Sequence, residues 1–316
     1  PRQRRLLLPP LLLAAGLAGL GGPRAPSFVA GLQPPPLVGT RPPVLVLPGF
    51  GNDSGDYLDV EPTVTDREHG TGGLVTRLQN RGFHSVEVLP VARADWLRVA
   101  AALLDEDFRA GTAPPDTAFG WYLDRVEEAL ERAHTAHGER VLLLAHSAGG
   151  WLARAALGRR PDLAARTRAL VTLGSPHRAP PTEPPGEDQT RGALSYVDDR
   201  YPGAFFQDQG VDYVTVAGGA VQGEGAFERG TREKEAWISY QRLVGRGDVR
   251  GDGIVPLESA HLDGALQVTL PDATHSIGTP EEWYGAEPVI DKWLPQVTFR
   301  LALQSALGAL RLAPSS

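Results

Sequence analysis

Six short apolar runs punctuate the chain, at residues 44–47, 85–89, 141–145, 169–173, 213–217 and 265–270. They are rich in Val and Leu, and most are apolar without alternation, as parallel strands covered on both faces are. Between them the period changes. Phe119, Tyr122, Val126, Ala129, Leu130 and Ala133 recur at helical spacing, with Glu127, Glu128, Glu131 and Arg132 on the opposite face. Residues 96–104, 151–157 and 233–244 also read as helices. This alternation predicts an α/β fold: a doubly wound, mostly parallel sheet with helices on both faces.

Two stretches interrupt the rhythm. Residues 179–192 (APPTEPPGEDQTRG) are rich in Pro and acid and predict a surface excursion, and residues 218–230 are rich in Gly. Long loops in a compact α/β domain are functional or disordered, so substrate selection is expected in 175–210 and 218–247. Phe205, Phe206, Trp237 and Tyr240 either line a substrate pocket or lid there, or pack these segments onto the body. Residues 301–312 (LALQSALGALRL) read as a terminal amphipathic helix packed on the body, with peripheral membrane contact as the alternative. The expected organisation is a targeting or disordered segment over 1–37, an α/β domain over 38–298, and a helical tail over 299–316.

Charge singles out the first of these segments. No Asp or Glu precedes Asp53, while five arginines do, which leaves 26 basic against 38 acidic side chains in the remainder. Within the basic arm, residues 6–20 (LLLPPLLLAAGLAGL) are apolar, shorter than the ~20 residues of a spanning helix and broken by Pro9 and Pro10. Arginines, a short apolar run and small residues read as a targeting segment, with import into a plastid or chloroplast as the expected destination. Secretion or membrane anchoring is the alternative. Arg outnumbers Lys by 29 to 2, so Arg enrichment alone says little. A pI near 5.7 gives no global attraction to nucleic acid. Without cysteine, disulfides, thiolate metal sites and a cysteine nucleophile are excluded.

The strongest chemical signal is VLLLAHSAGG, residues 141–150. A buried strand runs into His146-Ser147-Ala148-Gly149-Gly150 and then into a helical pattern, the strand–turn–helix context of a nucleophile elbow. The turn is sharp enough that the serine needs small neighbours on both sides, here Ala145 and Gly149. A chance Ser at a helix N-cap is the plainer reading.

A serine hydroxyl needs a base, and the base an orienting carboxylate; around an elbow the chain order is Ser, acid, His. Of the eight histidines, His69, His84, His134 and His137 precede the serine. His146 adjoins it and should point elsewhere, His177 shapes the loop after the next strand, and His261 lies before the last strand. His275, in the loop PDATH directly after that strand, is the candidate base. The candidate acid is Asp252 in GDGIVP, with Asp248 as runner-up. Asp212 starts its strand, at the wrong end of the sheet, and Asp263 and Asp272 flank the last strand in turns. An oxyanion hole would need two backbone N–H groups. Ala148 supplies one, and Phe50, in the turn Pro48-Gly-Phe-Gly51 after the first strand, is the candidate for the other.

Taken together, PVLVLPGFGN, AHSAGG, TLGSPH, GDGIVP and ATHS resemble the lipase and esterase branch of the α/β-hydrolase superfamily. PGFGNDSGDYLD and GDGIVP are most similar to plant and algal plastid-type hydrolases, and more distantly to GPI inositol-deacylase-like proteins and small bacterial lipases. The resemblance spans residues 43–293. It implies the α/β-hydrolase fold and hydrolysis of a small-molecule or lipid carboxylic ester with no cofactor or metal, and matches Ser147, Asp252 and His275 to the triad. Where such sequences often carry His-Gly before the oxyanion donor, this chain has Pro48-Gly49. A thioesterase or amidase would use the same residues, and a catalytically silent ligand-binding relative is the alternative from another class. Substrate and oligomeric state have no signature here.

Overall fold

A computed structural model describes residues 41–58, 73–183, 186–279 and 281–312. Six runs become the strands β1 (Val44–Leu47), β2 (Val86–Val88), β3 (Val141–His146), β4 (Thr167–Leu173), β5 (Asp212–Gly218) and, last in the chain, β8 (Leu266–Leu270). They form one parallel sheet in the order β2-β1-β3-β4-β5-β8. Successive residues of a strand point to opposite faces, and here both faces are covered. Leu45, Leu47, Leu143 and Ala145 enter one core, while Val44, Val46, Leu142 and Leu144 enter the other. That double demand is why β1 is apolar throughout and β3 from Val141 to Ala145, whereas the edge strand β8 leaves Gln267 and Thr269 exposed.

The helices are α1 (Leu74–Asn80), α2 (Glu106–Ala110), α3 (Pro115–His137), α4 (Ala148–Arg159), α5 (Ala193–Arg200), α6 (Arg232–Val244), α7 (Leu257–Ala260) and α8 (Glu287–Leu312). The first core takes α3 and α4, through Phe119, Tyr122, Val126, Trp151 and Leu152; the second takes α1 and α8, through Leu74, Leu78, Ile290, Trp293 and Val297. Residues 301–312 thus continue a helix that begins at Glu287, and Leu301 is buried while Leu303 is exposed. Residues 93–104 wind as a 3-10 helix, Arg93–Leu104. Among the described residues, no helix is long and apolar enough to cross a membrane. The expected targeting segment lies outside the described residues.

The two irregular segments contain order that periodicity did not predict. α5 and a 3-10 turn, Phe205–Gln209, fall in the first. In the second, β6 (Val221–Gln222) pairs antiparallel with β7 (Arg250–Gly251). Two-residue strands carry no readable period, so only tertiary pairing marks them. Phe206 packs against Tyr201 and Phe205, and Tyr240 lies fully buried with its hydroxyl donating to the Val221 carbonyl. These two aromatics pack their segments onto the body.

From β1 the winding goes outward to β2, then crosses back to place β3 on the other side of β1. Chain reversal of this kind opens a crevice beyond the C-terminal ends of β1 and β3, where open α/β sheets hold their ligands. The turns after those strands carry Phe50 and Ser147.

Candidate active site

Ser147 sits where β3 becomes α4, with φ 52° and ψ −125°. Among the described non-glycine residues only Ser147 and Arg191 have positive φ, a state worth about 1–3 kcal/mol of strain and maintained only by its surroundings. The Ser147 N–H donates to the Leu173 carbonyl (2.9 Å), and its own carbonyl accepts from Gly150 (3.1 Å). Gly149 allows the close packing of α4 on β1: a Cβ there would lie 2.5 Å from the Leu47 carbonyl oxygen. The need for small residues around the serine therefore comes from the neighbouring strand as much as from the turn.

His275 leaves the end of β8 through residues 271–274 and reaches back across the sheet edge. Its Nε2 lies 2.9 Å from Ser147 Oγ and its Nδ1 2.8 Å from Asp252 Oδ2. The carboxylate accepts at Nδ1, so Nδ1 carries the proton and Nε2 is free to accept from the serine hydroxyl. Asp252 is held in place by the β6–β7 pair. β7 ends at Gly251, where a Cβ would fall 2.3 Å from the Val255 carbonyl oxygen, so the chain can fold back on itself only with glycine there. Oδ1 accepts from Ile254 (3.0 Å) and Val255 (2.7 Å) N–H groups, an Asx-type turn, and Oδ2 accepts from the Tyr284 hydroxyl at 2.8 Å. The His275 N–H in turn donates to the Asp252 carbonyl (2.9 Å).

Burial pushes the Asp252 carboxyl upward, but the His275 charge and hydrogen bond and the Val255 and Ile254 N–H groups outweigh it, so its pKa falls below the ordinary value. Burial and the charge of Asp252 drive Tyr284 well above the usual phenol range, which keeps it a donor. Tyr284 is a partner that the sequence did not reveal. It lies nine residues beyond His275 in TPEEWYG, with nothing local to distinguish it from a core tyrosine.

Asp248, the runner-up, and the acids set aside lie elsewhere. Asp248 is exposed and offers its main-chain carbonyl to Gln222. Asp212 pairs with Arg168 and Arg300 at the start of β5, Asp263 with Arg178, and Asp272 with Lys292. His177 is fully buried, bonded to Thr172, and its N–H donates to the Ser259 carbonyl.

At the crevice, neither the Phe50 nor the Ala148 N–H donates a hydrogen bond to another of the described residues, and Ala148 is the first residue of α4, where helix N–H groups lack intrahelical partners. The preceding amide is committed: Gly49 N–H donates to the buried Tyr57 hydroxyl at 3.0 Å. The Pro48 carbonyl is likewise fixed, accepting from Tyr122 at 2.8 Å. Phe50 leans on Trp96, ring centroids 4.9 Å apart, with its side chain partly exposed at the rim. A hydroxyl on an oriented imidazole, beside the Phe50 turn amide and the Ala148 amide that opens α4, has the parts needed to attack a carbonyl and hold the resulting negative charge. Among the described residues no three His, Cys, Asp or Glu side chains gather as a metal site.

Comparison with known proteins assigns the family. A family described as the PGAP1-like alpha/beta domain matches residues 122–309. No curated protein matches the sequence. Among solved structures, Bacillus licheniformis lipase BlEst2 in mature form is 16% identical, covering 85% of this chain and 94% of its own, with a TM-score of 0.46. A metagenomic carboxyl esterase, MGS0156, is 15% identical over 83% of this chain and 76% of its own, with a TM-score of 0.48. Phospholipase PlaB from Legionella pneumophila, in complex with thio-NAD, is 11% identical over 83% of this chain and 58% of its own, with a TM-score of 0.49. These likenesses are distant, and the assignment rests on the family match over more than half of the chain. The chain belongs to the PGAP1-like alpha/beta domain family, of the α/β-hydrolase superfamily.

Proposed function

We propose that this protein is a serine hydrolase that cleaves carboxylic esters, acyl lipids among them, through an acyl-serine intermediate. The observation that carries the reading is the unbroken path from Asp252 Oδ2 through both nitrogens of His275 to Ser147 Oγ, at 2.8 and 2.9 Å. In the proposed cycle, Ser147 Oγ attacks the ester carbonyl as His275 Nε2 takes its proton. Asp252 holds the Nδ1–H tautomer and stabilises the imidazolium. The Ala148 and Phe50 N–H groups receive the oxyanion, and His275 returns the proton to the departing alcohol. A water activated by the same nitrogen then splits the acyl-serine, which restores the free serine and releases the acid.

The test is labelling of the purified full-length protein with a fluorophosphonate, followed by mass spectrometry. The adduct is expected on the peptide containing His146-Ser147-Ala148. Labelling of another serine, such as the buried Ser175, or none under conditions where the protein is folded, overturns the reading.

A further inference from the structure

His146, next to the serine, turns into the interior, where it joins three parts of the site. Its Nε2 lies 3.1 Å from the His275 main-chain carbonyl, and its Nδ1 lies 2.8 Å from the Tyr57 hydroxyl. That hydroxyl in turn accepts the Gly49 N–H at 3.0 Å. A carbonyl can only accept, so Nε2 carries the ring proton. Burial depresses the His146 pKa to about 3, which keeps the ring neutral and leaves Nδ1 as an acceptor. The Tyr57 hydroxyl must then donate to Nδ1, which leaves its oxygen to accept from Gly49. Every donor and acceptor in the chain Gly49 N–H, Tyr57, His146, His275 carbonyl is used once, in one direction.

We infer that Tyr57 and His146 are positioning residues that lock the Phe50 amide toward the oxyanion and hold the His275 main chain in register with Ser147. The inference rests on the proposed function of the site. Three elements otherwise remote in sequence meet in this brace: the loop after β1, the end of β3 and the loop after β8. The Gly49 bond matters because it fixes the Pro48–Gly49 peptide unit, next to the one that carries the Phe50 N–H; that second unit is held in turn by the Asn52 N–H, which donates to the Gly49 carbonyl at 3.1 Å. The His275 main chain is pinned on both sides, its N–H on the Asp252 carbonyl and its carbonyl on His146. Tyr57 is itself set by the short 3-10 turn Ser54–Tyr57, capped by Asp53 and tied to Arg93 through Asp56. Its ring is fully buried, so the hydroxyl has no water to fall back on.

Tyr57→Phe keeps the ring and removes the brace. Loss of a whole oxyanion donor costs about 10²–10³ in kcat, and a misdirected donor less, so a fall of roughly 10- to 100-fold is expected with KM within about twofold. Affinity for a trifluoromethyl ketone, whose adduct mimics the tetrahedral oxyanion, is expected to fall by the same factor. Binding of a non-reacting ester analogue should be unchanged. If kcat falls while the ketone affinity holds, Tyr57 is only a packing residue and the inference is overturned; unchanged kcat overturns it too. Should Tyr57→Phe fail to fold, His146→Leu fills much of the ring's space but offers Tyr57 no acceptor, and the same parallel loss is expected. A readout independent of activity is nitrogen NMR of histidine-labelled full-length protein, with the His146 signal identified by its loss in His146→Leu. An Nε2-protonated neutral ring is expected, with Nδ1 shifting in Tyr57→Phe; an Nδ1-protonated ring overturns the brace. Wild-type protein that shows this tautomer yet resists fluorophosphonate labelling would sink the proposed hydrolase instead.

Discussion

The two sides of the site are held by different forces. On the serine side, where β3 turns into α4, the elbow itself is set mainly by packing: Ser147 keeps a strained backbone where α4 and β1 approach as closely as glycine allows. On the acid side, beyond β5 and β8, geometry is set by hydrogen bonds. Asp252 accepts from two backbone amides, an imidazole and a phenol, and its loop hangs on a two-residue strand pair. The first side should be intolerant of added volume, the second of lost polar partners. Steric constraint also leaves a local mark in sequence, as a cluster of small residues, whereas a hydrogen-bond cage assembled from distant segments leaves almost none.

The largest effect that tests this contrast is Ser147→Ala. On the proposed role it lowers kcat by roughly 10⁶-fold and abolishes the adduct, while circular dichroism and thermal melting stay near wild type. Adding His275→Ala to it should cost little more, because the residues act as a unit. Substantial residual turnover would detach the chemistry from the serine side.

Asp252→Asn keeps the shape of the acid side and removes the charge. About 10⁴-fold in kcat is expected, the scale seen when a triad acid no longer sets the histidine tautomer, and Asp248→Asn should cost far less. The opposite ranking of the two turnover rates would move the acid role.

Gly149→Val probes the serine side by volume. Overpacking of this kind costs typically about 1–3 kcal/mol, read as a lower denaturation midpoint. Activity should fall further than stability, because the strained Ser147 turn relaxes first. A stable, fully active variant would show that packing does not hold the elbow.

The remaining effect concerns pH and touches stability alone. His146 is buried neutral, with its pKa down at about 3, so the unfolded chain binds a proton that the folded chain refuses. Stability should therefore decline as pH falls from ~6.5 toward 3, by up to about 1.4 kcal/mol per pH unit from this group. His177, held well below its ordinary value by burial and then by Arg154, adds in the same direction. Asp252, whose folded pKa is depressed, gives stability that is present above ~3.9 and lost as pH falls through its folded value. Urea denaturation at stepped pH should show a shallower acid slope in His146→Gln; an unchanged slope would mean the ring is accessible to protons.

What the sequence determined by itself is the part of the molecule encoded locally. Short runs rich in Val and Leu, set between stretches of helical period, made all six main strands, the parallel sheet and the α3 and α4 helices legible from period and composition. The elbow was legible because its small residues lie next to each other. Only tertiary structure decided the rest. Whether Asp252 or Asp248 faces His275 depends on the β6–β7 pair, too short to carry a period. Tyr57 and Tyr284 are indistinguishable in sequence from core tyrosines, because what sets them apart is the buried polar atom that each hydroxyl meets, and those atoms lie 89 and 32 residues away. A hydrogen bond between distant segments depends on where the folded backbone brings its two ends, and no window of local sequence contains both.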